Sequence, residues 1–175
     1  MKVRTLTFPL AICAMLASVS SLTMAQTCVA GIQASNPTSV YLVDNVKGTV
    51  SDSRTGLMWD RCALGLSGPS CVTGTASVLT WQAALDAAAN VGTFKGYSDW
   101  RLPNLREFRS LVEECRSNPA INEFAFPNTP VSFYWSCSPY AGGATFALGL
   151  YFGSGDSSIE SRSFAARVRL VRAAQ

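Results

Sequence analysis

The segment GYSDWRLPNLREFRSLVEE, residues 96–114, begins as a loop and continues as a helix after Pro103. Asn104 can cap this helix, and Glu107, three residues later, can complete a capping box. Apolar side chains recur at the helical period, at Leu105, Phe108, Leu111, Val112 and Cys115. The outer positions are Arg106, Arg109, Glu113 and Arg116, and Arg109 can pair with Glu113 four residues on. The segment therefore predicts a scaffold helix with a buried stripe and a solvated face of mixed charge.

Strands and a first helix are predicted before this segment. SVYLVDNVKGTVSDSRTGLMWDRC, residues 39–62, contains extended runs divided by two turn signals, which predicts a hairpin followed by a third strand over 57–60. An alanine-rich stretch predicts a helix over 81–89 with Thr80 as its N-cap. Its apolar residues share one face: Trp81, Ala84, Leu85 and Ala88.

The last third of the chain predicts a sheet. Residues 118–140 contain prolines and aromatic residues and are expected to be loop. ATFALGLYF, SSIES and ARVRLVRA, between residues 144 and 173, predict three strands of a meander. In the last of them, Val168 and Leu170 face one way, and the arginines at 167 and 169 the other. Helices followed by a late sheet predict an α+β domain.

Residues 1–25 have the features of a signal peptide: Lys2 and Arg4, an apolar run, and small residues up to Ala25. The run is shorter than the roughly 20 apolar residues of a membrane span. Cleavage after Ala25 would leave an N-terminal arm over 26–38 and one domain over 39–175, enough chain for a single core. The expected location is secreted, in the periplasm or on a bacterial cell surface, and not embedded in a membrane.

Charge and composition exclude several function classes. Without residues 1–25 the chain has 12 basic and 11 acidic side chains, a formal net charge of +1, which gives no indication of nucleic-acid binding. The chain contains no histidine, so the usual general base, the commonest metal ligand and every Ser-His or Cys-His pair are missing. No cofactor is predicted.

Five cysteines follow the signal peptide: Cys28, Cys62, Cys71, Cys115 and Cys137. An odd number leaves one thiol unpaired and allows 15 arrangements of two bridges. Cys62 and Cys71 are the pair predicted from the residues, because ALGLSGPS between them can turn back on itself. Closing so short a loop contributes about 2 to 3 kcal/mol in the chain-entropy model.

The order of these segments resembles a known family. GTVSDSRTGLMWDRC, TWQAALDAA, GYSDWRLPNLREFRSLVE, PAIN, FPNTP, YWSCSPY and VRLVR resemble the C-terminal domain family of the Legionella collagen-like adhesins, over about residues 39–172. The resemblance implies a disulfide-stapled C-type-lectin-like domain with two helices packed on a compact antiparallel sheet. RLPN before a capped helix is also similar to the RLPT entry to a helix in formylglycine-generating enzymes.

The chain departs from the family pattern in two ways. No Gly-X-Y repeat precedes the domain, so there is no indication of a collagen stalk or of the trimer it would impose, and the oligomeric state stays open. Cys137 stands in WSCSP where family members often carry serine. The resemblance therefore implies that Cys137 is the odd thiol and that Cys28 pairs with Cys115; the alternative joins Cys115 to Cys137 and leaves Cys28 free.

The two chemistries associated with similar folds are not expected here. Formylglycine-generating enzymes bind copper with a cysteine pair late in the chain, whereas no cysteine follows Cys137, so we predict no enzyme. Calcium-dependent sugar sites need a cluster of carboxylates and amides. FPNTP has no acid before Pro127, and SDW offers only Asp99, which we interpret as structural, accepting loop hydrogen bonds or pairing with Arg101.

A metal-independent binding site is the remaining interpretation. Similar adhesins and receptors present ligand contacts near the C-terminal end, which here means about residues 134–164. The candidate ligand-binding residues are Tyr134, Tyr140, Tyr151, Asp156 and Arg162. Aromatic rings suit sugar rings and protein partners, whereas Trp135, like Trp59 and Trp100, is interpreted as core.

The predicted function is that of a secreted or cell-surface adhesin or lectin-like domain that binds a glycan or a surface protein without metal. Arg162 is expected on the surface, where it could meet an anionic glycan, and Arg169 is expected to be structural. The alternative is a structural or tip subunit of a surface assembly, in which the aromatic region forms an interface.

Overall fold

The computed structural model of the protein describes residues 27–174; the predicted signal peptide lies outside them. The described chain folds into mostly sheet with few helices, which confirms a mixed α and β domain. After a 3₁₀ turn at Thr38–Val40, the elements are β1 Tyr41–Asp44, β2 Thr49–Asp52, β3 Leu57–Asp60, β4 Leu66–Ser67, β5 Thr73–Gly74, α1 Trp81–Ala89, α2 Leu105–Arg109, β6 Phe133–Pro139, β7 Phe146–Tyr151, β8 Asp156–Ser161 and β9 Val171–Ala173.

The first sheet has the antiparallel order β1-β2-β3-β9. Its first turn forms because Asp44 Oδ1 accepts hydrogen bonds from the backbone of Val46 and Lys47, both at 2.9 Å. The turn ends at Gly48, whose φ of +69° favours glycine. The predicted hairpin and third strand are confirmed. Strand β9 pairs with β3, so that Met58 lies opposite Arg172.

The second sheet has the antiparallel order β6-β7-β8, and two predictions fail here. Strand β6 lies inside the proline-containing stretch expected to be loop; its ladder with β7 has a bulge between Trp135 and Pro139, which accommodates the proline. The third predicted strand does not extend the meander. It crosses to the first sheet, since the backbone of Asp60 and Leu64 donates to the carbonyls of Leu170 and Val168.

Both helices begin where their caps are predicted. Thr80 Oγ1 accepts from the backbone of Ala83 in α1. In α2, Asn104 and Glu107 form the full capping box. The prediction that this helix reaches residue 115 is wrong, because it ends at Arg109 and the following backbone pairs elsewhere: Val112 forms a β-bridge with Ile121.

Two apolar clusters lie on opposite faces of the second sheet. Alternation along β6 places Tyr134 in the first, with Trp59 and Phe108, and its neighbours Phe133 and Trp135 in the second. Trp81 and Trp100 complete the aromatic part of the second cluster. The prediction that Trp59, Trp100 and Trp135 are core residues is confirmed, since at most 4% of each remains exposed.

The N-terminal arm is fixed to the domain by a carboxylate and a disulfide. Glu113 is fully buried, and its carboxylate accepts hydrogen bonds from Ser35 and Asn36 at 2.8 to 2.9 Å. The predicted surface pair between Arg109 and Glu113 is therefore wrong; Arg109 Nη1 donates to Ser157 Oγ instead. The disulfides are Cys28–Cys115 and Cys62–Cys71, and Cys137 is a free thiol.

No helix within residues 27–174 is long and apolar enough to cross a membrane.

Candidate functional site

At one end of the second sheet, two residues with exposed aromatic side chains and one arginine are joined through a single backbone carbonyl. The carbonyl oxygen of Phe146 accepts the backbone N–H of Tyr140 at 3.3 Å and Arg162 Nε at 3.1 Å. Tyr140 is 37% exposed and Phe146 41% exposed. We call Tyr140, Phe146 and Arg162 the aromatic patch. The β6–β7 turn brings Tyr140 back to Phe146, and the end of β8 brings Arg162 to the same point.

Arg162 is held in place by a ring beneath it. Its guanidinium carbon lies 4.1 Å from the centre of the Trp81 ring, and its backbone carbonyl accepts a hydrogen bond from the backbone N–H of Trp81 at 3.0 Å. Its two terminal nitrogens make no hydrogen bond to any residue in the described part of the chain. A cation over an aromatic face is stabilised by about 0.5 to 2 kcal/mol. The arginine therefore presents a fixed positive group with free donors.

Tyr140 also has a defined orientation. A Cβ atom added at Gly142 would lie 2.6 Å from Tyr140 Cε1, so the ring lies directly against the glycine. Any side chain at 142 would displace the ring. The position of the tyrosine thus depends on a glycine in the turn that follows it.

Tyr151 and Asp156 lie at the other end of β7. They are opposite partners in the β7–β8 ladder. Tyr151 lies five positions after Phe146, which is about 17 Å along an extended strand. Asp156 Oδ2 accepts a hydrogen bond from Ser154 Oγ at 2.6 Å. The candidate residues therefore form two separate groups, Tyr140 with Arg162 and Tyr151 with Asp156.

Tyr134 is not a surface residue, and its inclusion among the candidates is wrong. It is fully buried, with its ring 5.0 Å from Phe152 and 6.2 Å from Phe108 in edge-on contacts. Burial raises the pKa of Tyr134 to about 12. The side chain lies on the face of the sheet that packs against the first apolar cluster.

Sequence reasoning missed Phe146. Phe146 is the first residue of β7, directly after the turn GGAT. The turn signal and the alternation of ATFALGLYF contained the information that a strand begins there. These signals did not show that Phe146, the first side chain of the strand, is exposed and not packed in the core.

The arginines at 169 and 172 make hydrogen bonds within the protein. Arg169 is fully buried, and its Nη atoms donate to the Asp60 carbonyl at 2.8 Å and to Thr129 Oγ1 at 2.9 Å. Arg172 Nε donates to Asp99 Oδ1 at 2.6 Å. Asp99 therefore pairs with Arg172, whereas Arg101 pairs with Glu107. Asp99 has the structural role predicted for it, with a different partner.

Within residues 27–174, one group of three potential metal ligands has its donor atoms within 4.8 Å of one another: Cys28, Glu113 and Cys115. Both cysteines are consumed by their disulfide, and the carboxylate already accepts hydrogen bonds from Ser35 and Asn36. This group holds the N-terminal arm and offers no free coordination position.

A family model described as the Lcl C-terminal domain matches residues 48–172. A comparison with curated proteins found no match. The matched range includes strands β2 to β8, both helices, the aromatic patch and all but the last residue of β9, whereas β1 precedes it. The family suggests an adhesin-like function with a surface or secreted location, and the chain belongs to the Lcl C-terminal domain family.

Proposed function

We propose that this protein is a secreted or surface-displayed adhesin with a C-type-lectin-like domain, which binds a glycan or a surface protein through the aromatic patch without metal and without chemistry. The observation that carries the proposal is that the backbone of Tyr140 and the side chain of Arg162 meet at the Phe146 carbonyl, where the aromatic side chains of Tyr140 and Phe146 are both exposed. Tyr151 and Asp156, at the far end of β7, lie outside the proposed site.

The chemistry of the aromatic patch suits a sugar or a flat polar partner. Aromatic rings supply apolar area and, in tyrosine, a hydroxyl at the edge. The free nitrogens of Arg162 can donate to a carboxylate or sulfate group in parallel. Such a contact between surface charges weakens as salt rises above about 0.1 M. The nearby indole of Trp81 supports the guanidinium, so little side-chain entropy is lost when a ligand binds.

The test is a glycan array probed with the purified protein, with calcium and with chelator, at two salt concentrations. We expect binding that resists chelation. Tyr140→Ala and Arg162→Ala should each weaken it about tenfold, a loss of about 1.4 kcal/mol. Tyr151→Ala is the matched control for the ring, since Tyr151 is 40% exposed, and Arg106→Ala is the control for charge. Equal losses in the variants and the controls would refute the assignment of the site.

A second candidate function, a structural subunit of a surface assembly, is favoured by the exposed edge of the second sheet. Strand β8 has β7 on one side only among the described strands, and Ile159 in it is 42% exposed. An open edge can pair with a strand of another molecule. Concentration-dependent self-association, measured by sedimentation and abolished by Ile159→Lys but not by Tyr140→Ala, would support this alternative over ligand binding.

A further inference from the structure

A polar hollow of about 460 Å³ lies beside the first sheet and shares no residue with the aromatic patch. It is lined by Thr93, Gly96, Tyr97, Ser98, Asp99 and Arg172. Its volume falls within the range of about 300 to 1,000 Å³ typical of small-molecule sites. Most of the lining comes from the loop that precedes α2, and Arg172 comes from β9.

Arg172 places unused hydrogen-bond donors in this hollow. Its side chain is only 1% exposed. Nε donates to Asp99, and Nη1 contacts Met58 Sδ at 3.6 Å. Nη2 donates to no atom of residues 27–174. Nη2 is therefore free to donate to a ligand that enters the hollow.

The guanidinium is already positioned for such a ligand. Its carbon lies 4.0 Å from the centre of the Tyr97 ring, and the Tyr97 hydroxyl is in turn fixed by Lys47 Nζ at 3.2 Å. Backbone pairing between Met58 and Arg172 fixes the other end of the side chain. Binding would therefore not have to order a flexible arginine.

Asp99 adds an acceptor next to these donors. Its side chain is 53% exposed, and Oδ2 accepts no hydrogen bond from another residue of the described chain. The hydrogen bond from Arg172 holds the pKa of Asp99 below its usual value. The carboxylate therefore stays ionised at neutral pH and keeps its acceptor capacity.

The two charges restrict the class of ligand. An anion that approached Arg172 would be repelled by Asp99, and a cation would be repelled by Arg172. A neutral group that both accepts and donates satisfies both residues, and two adjacent hydroxyls of a sugar ring have this property. The exposed hydroxyls of Thr93 and Ser98 can serve further sugar hydroxyls at the rim.

We propose that the hollow binds a neutral monosaccharide unit, with one sugar hydroxyl accepting from Arg172 Nη2 and its neighbour donating to Asp99 Oδ2. This site goes beyond the aromatic patch and stands independently of it. Ligands of the aromatic patch are contacted by rings and by a single positive charge, whereas the hollow selects uncharged hydroxyl-rich ligands.

The test is a titration of the purified, ¹⁵N-labelled protein with glucose, galactose, mannose and N-acetylglucosamine, followed by amide chemical shifts. At least one sugar should shift the amides of residues 96–99 with saturation, at a Kd of about 1 to 10 mM, which is typical of a few hydrogen bonds. Ser98→Ala and Asp99→Asn should each raise that Kd at least about fivefold, equal to about 1 kcal/mol. Ser70→Ala, at another exposed serine, should leave it unchanged.

Three results would overturn the proposal. The first is the absence of saturable shifts at residues 96–99 with any of the four sugars up to about 100 mM, well above the expected Kd. The second is saturation by sodium sulfate or acetate at these amides, which would show an anion site. The third is binding of N-methylacetamide in place of sugars, which would assign the hollow to peptide groups. None of these results bears on glycan binding that depends on Tyr140 and Arg162.

Discussion

Replacing Glu113 with glutamine should loosen the N-terminal arm, which the Cys28–Cys115 disulfide still tethers, and destabilise the whole domain. The carboxylate accepts from Ser35 N at 2.8 Å, from Ser35 Oγ at 2.9 Å and from Asn36 N at 2.9 Å. Oε1 serves Ser35, and Oε2 serves Asn36. Glutamine keeps the size of the side chain and exchanges one oxygen for an NH₂ group, so in either orientation a donor would face a backbone N–H.

The magnitude follows from the contacts that are lost. One buried N–H left without a partner costs about 1 to 3 kcal/mol. The remaining bonds lose the negative charge, and charge-assisted hydrogen bonds are roughly twice as strong as neutral ones. Together these effects predict a loss of about 2 to 4 kcal/mol in the free energy of unfolding. That is a large share of the roughly 5 to 15 kcal/mol expected for a domain.

The same carboxylate predicts a pH dependence. Burial alone would raise the pKa of Glu113, but the hydrogen bonds from Ser35 and Asn36 outweigh it and hold the pKa below its usual value. The contribution to stability is therefore complete above the unfolded pKa, about 4.3, and is lost as pH falls through the lower folded pKa. The Glu113→Gln variant should lack this part of the acid destabilisation.

Urea denaturation of the oxidised protein at pH 7 measures the effect. With a slope of about 2 kcal/mol/M, Glu113→Gln should lower the midpoint by about 1 to 2 M. Glu114→Gln removes the same charge from an exposed neighbouring side chain and should shift the midpoint by less than about 0.3 M. Amide exchange at Ser35 and Asn36 should accelerate in the Glu113→Gln variant only. Identical midpoints for the two variants would refute the role of Glu113 as the anchor of the arm.

Three further predictions concern the core and the free thiol. Gly149→Ala places a Cβ atom 2.3 Å from both Phe133 Cζ and the Tyr134 carbonyl and should cost about 1 to 3 kcal/mol or more in thermal unfolding; Gly143→Ala, which meets only the Phe146 ring, at 3.1 Å, should cost less. Arg169→Lys cannot serve both Asp60 and Thr129 and should cost about 3 to 5 kcal/mol, whereas a comparable loss in Arg167→Lys would contradict this account. After removal of residues 1–25, thiol titration should find one thiol per denatured, unreduced chain. Because burial raises the pKa of Cys137, labelling in the native state should be at least about tenfold slower, and fast native labelling would contradict it.

Local signals in the sequence predict local structure well in this chain. The caps at Thr80 and Asn104 and the turn at Gly48 are found where expected, because each depends on hydrogen bonds or φ angles within a few residues. The hairpin and third strand are predicted for the same reason. The features that failed depend on contacts between residues far apart in the chain.

Glu113 and Tyr134 show the limit of this reasoning. The helical pattern through residue 115 is genuine, but the β-bridge of Val112 with Ile121 and the bonds from Ser35 to Glu113 compete with the helix and prevail. Helical periodicity in the sequence indicates neither Ile121 nor Ser35 as a partner. Tyr134 lies between Phe133 and Trp135, and all three are buried because helices and loops cover both faces of β6. The burial of these side chains depends on the tertiary arrangement alone.

The sequence predicted the region and the aromatic character of the candidate site, but only two of its three residues, Tyr140 and Arg162. Tyr140 and Arg162 both reach the Phe146 carbonyl because the ends of β6 and β8 flank the start of β7, a relation that depends on strand order. The hollow around Asp99 and Arg172 joins residues 73 positions apart. A single sequence without known pairings cannot show that these two side chains share a cavity.

The pairing of β9 with β3 also determines the order in which the molecule can fold. Residues 171–173 complete a sheet whose other three strands end at Asp60, so a nascent chain carries an unfinished sheet until residue 173 has been synthesised. Until then Asp99 lacks its partner Arg172, and Asp60 lacks the backbone bond to Leu170. Both disulfides join cysteines that emerge earlier. The cross-links can therefore form on an open chain, and the final strand then closes the domain as one late, long-range step.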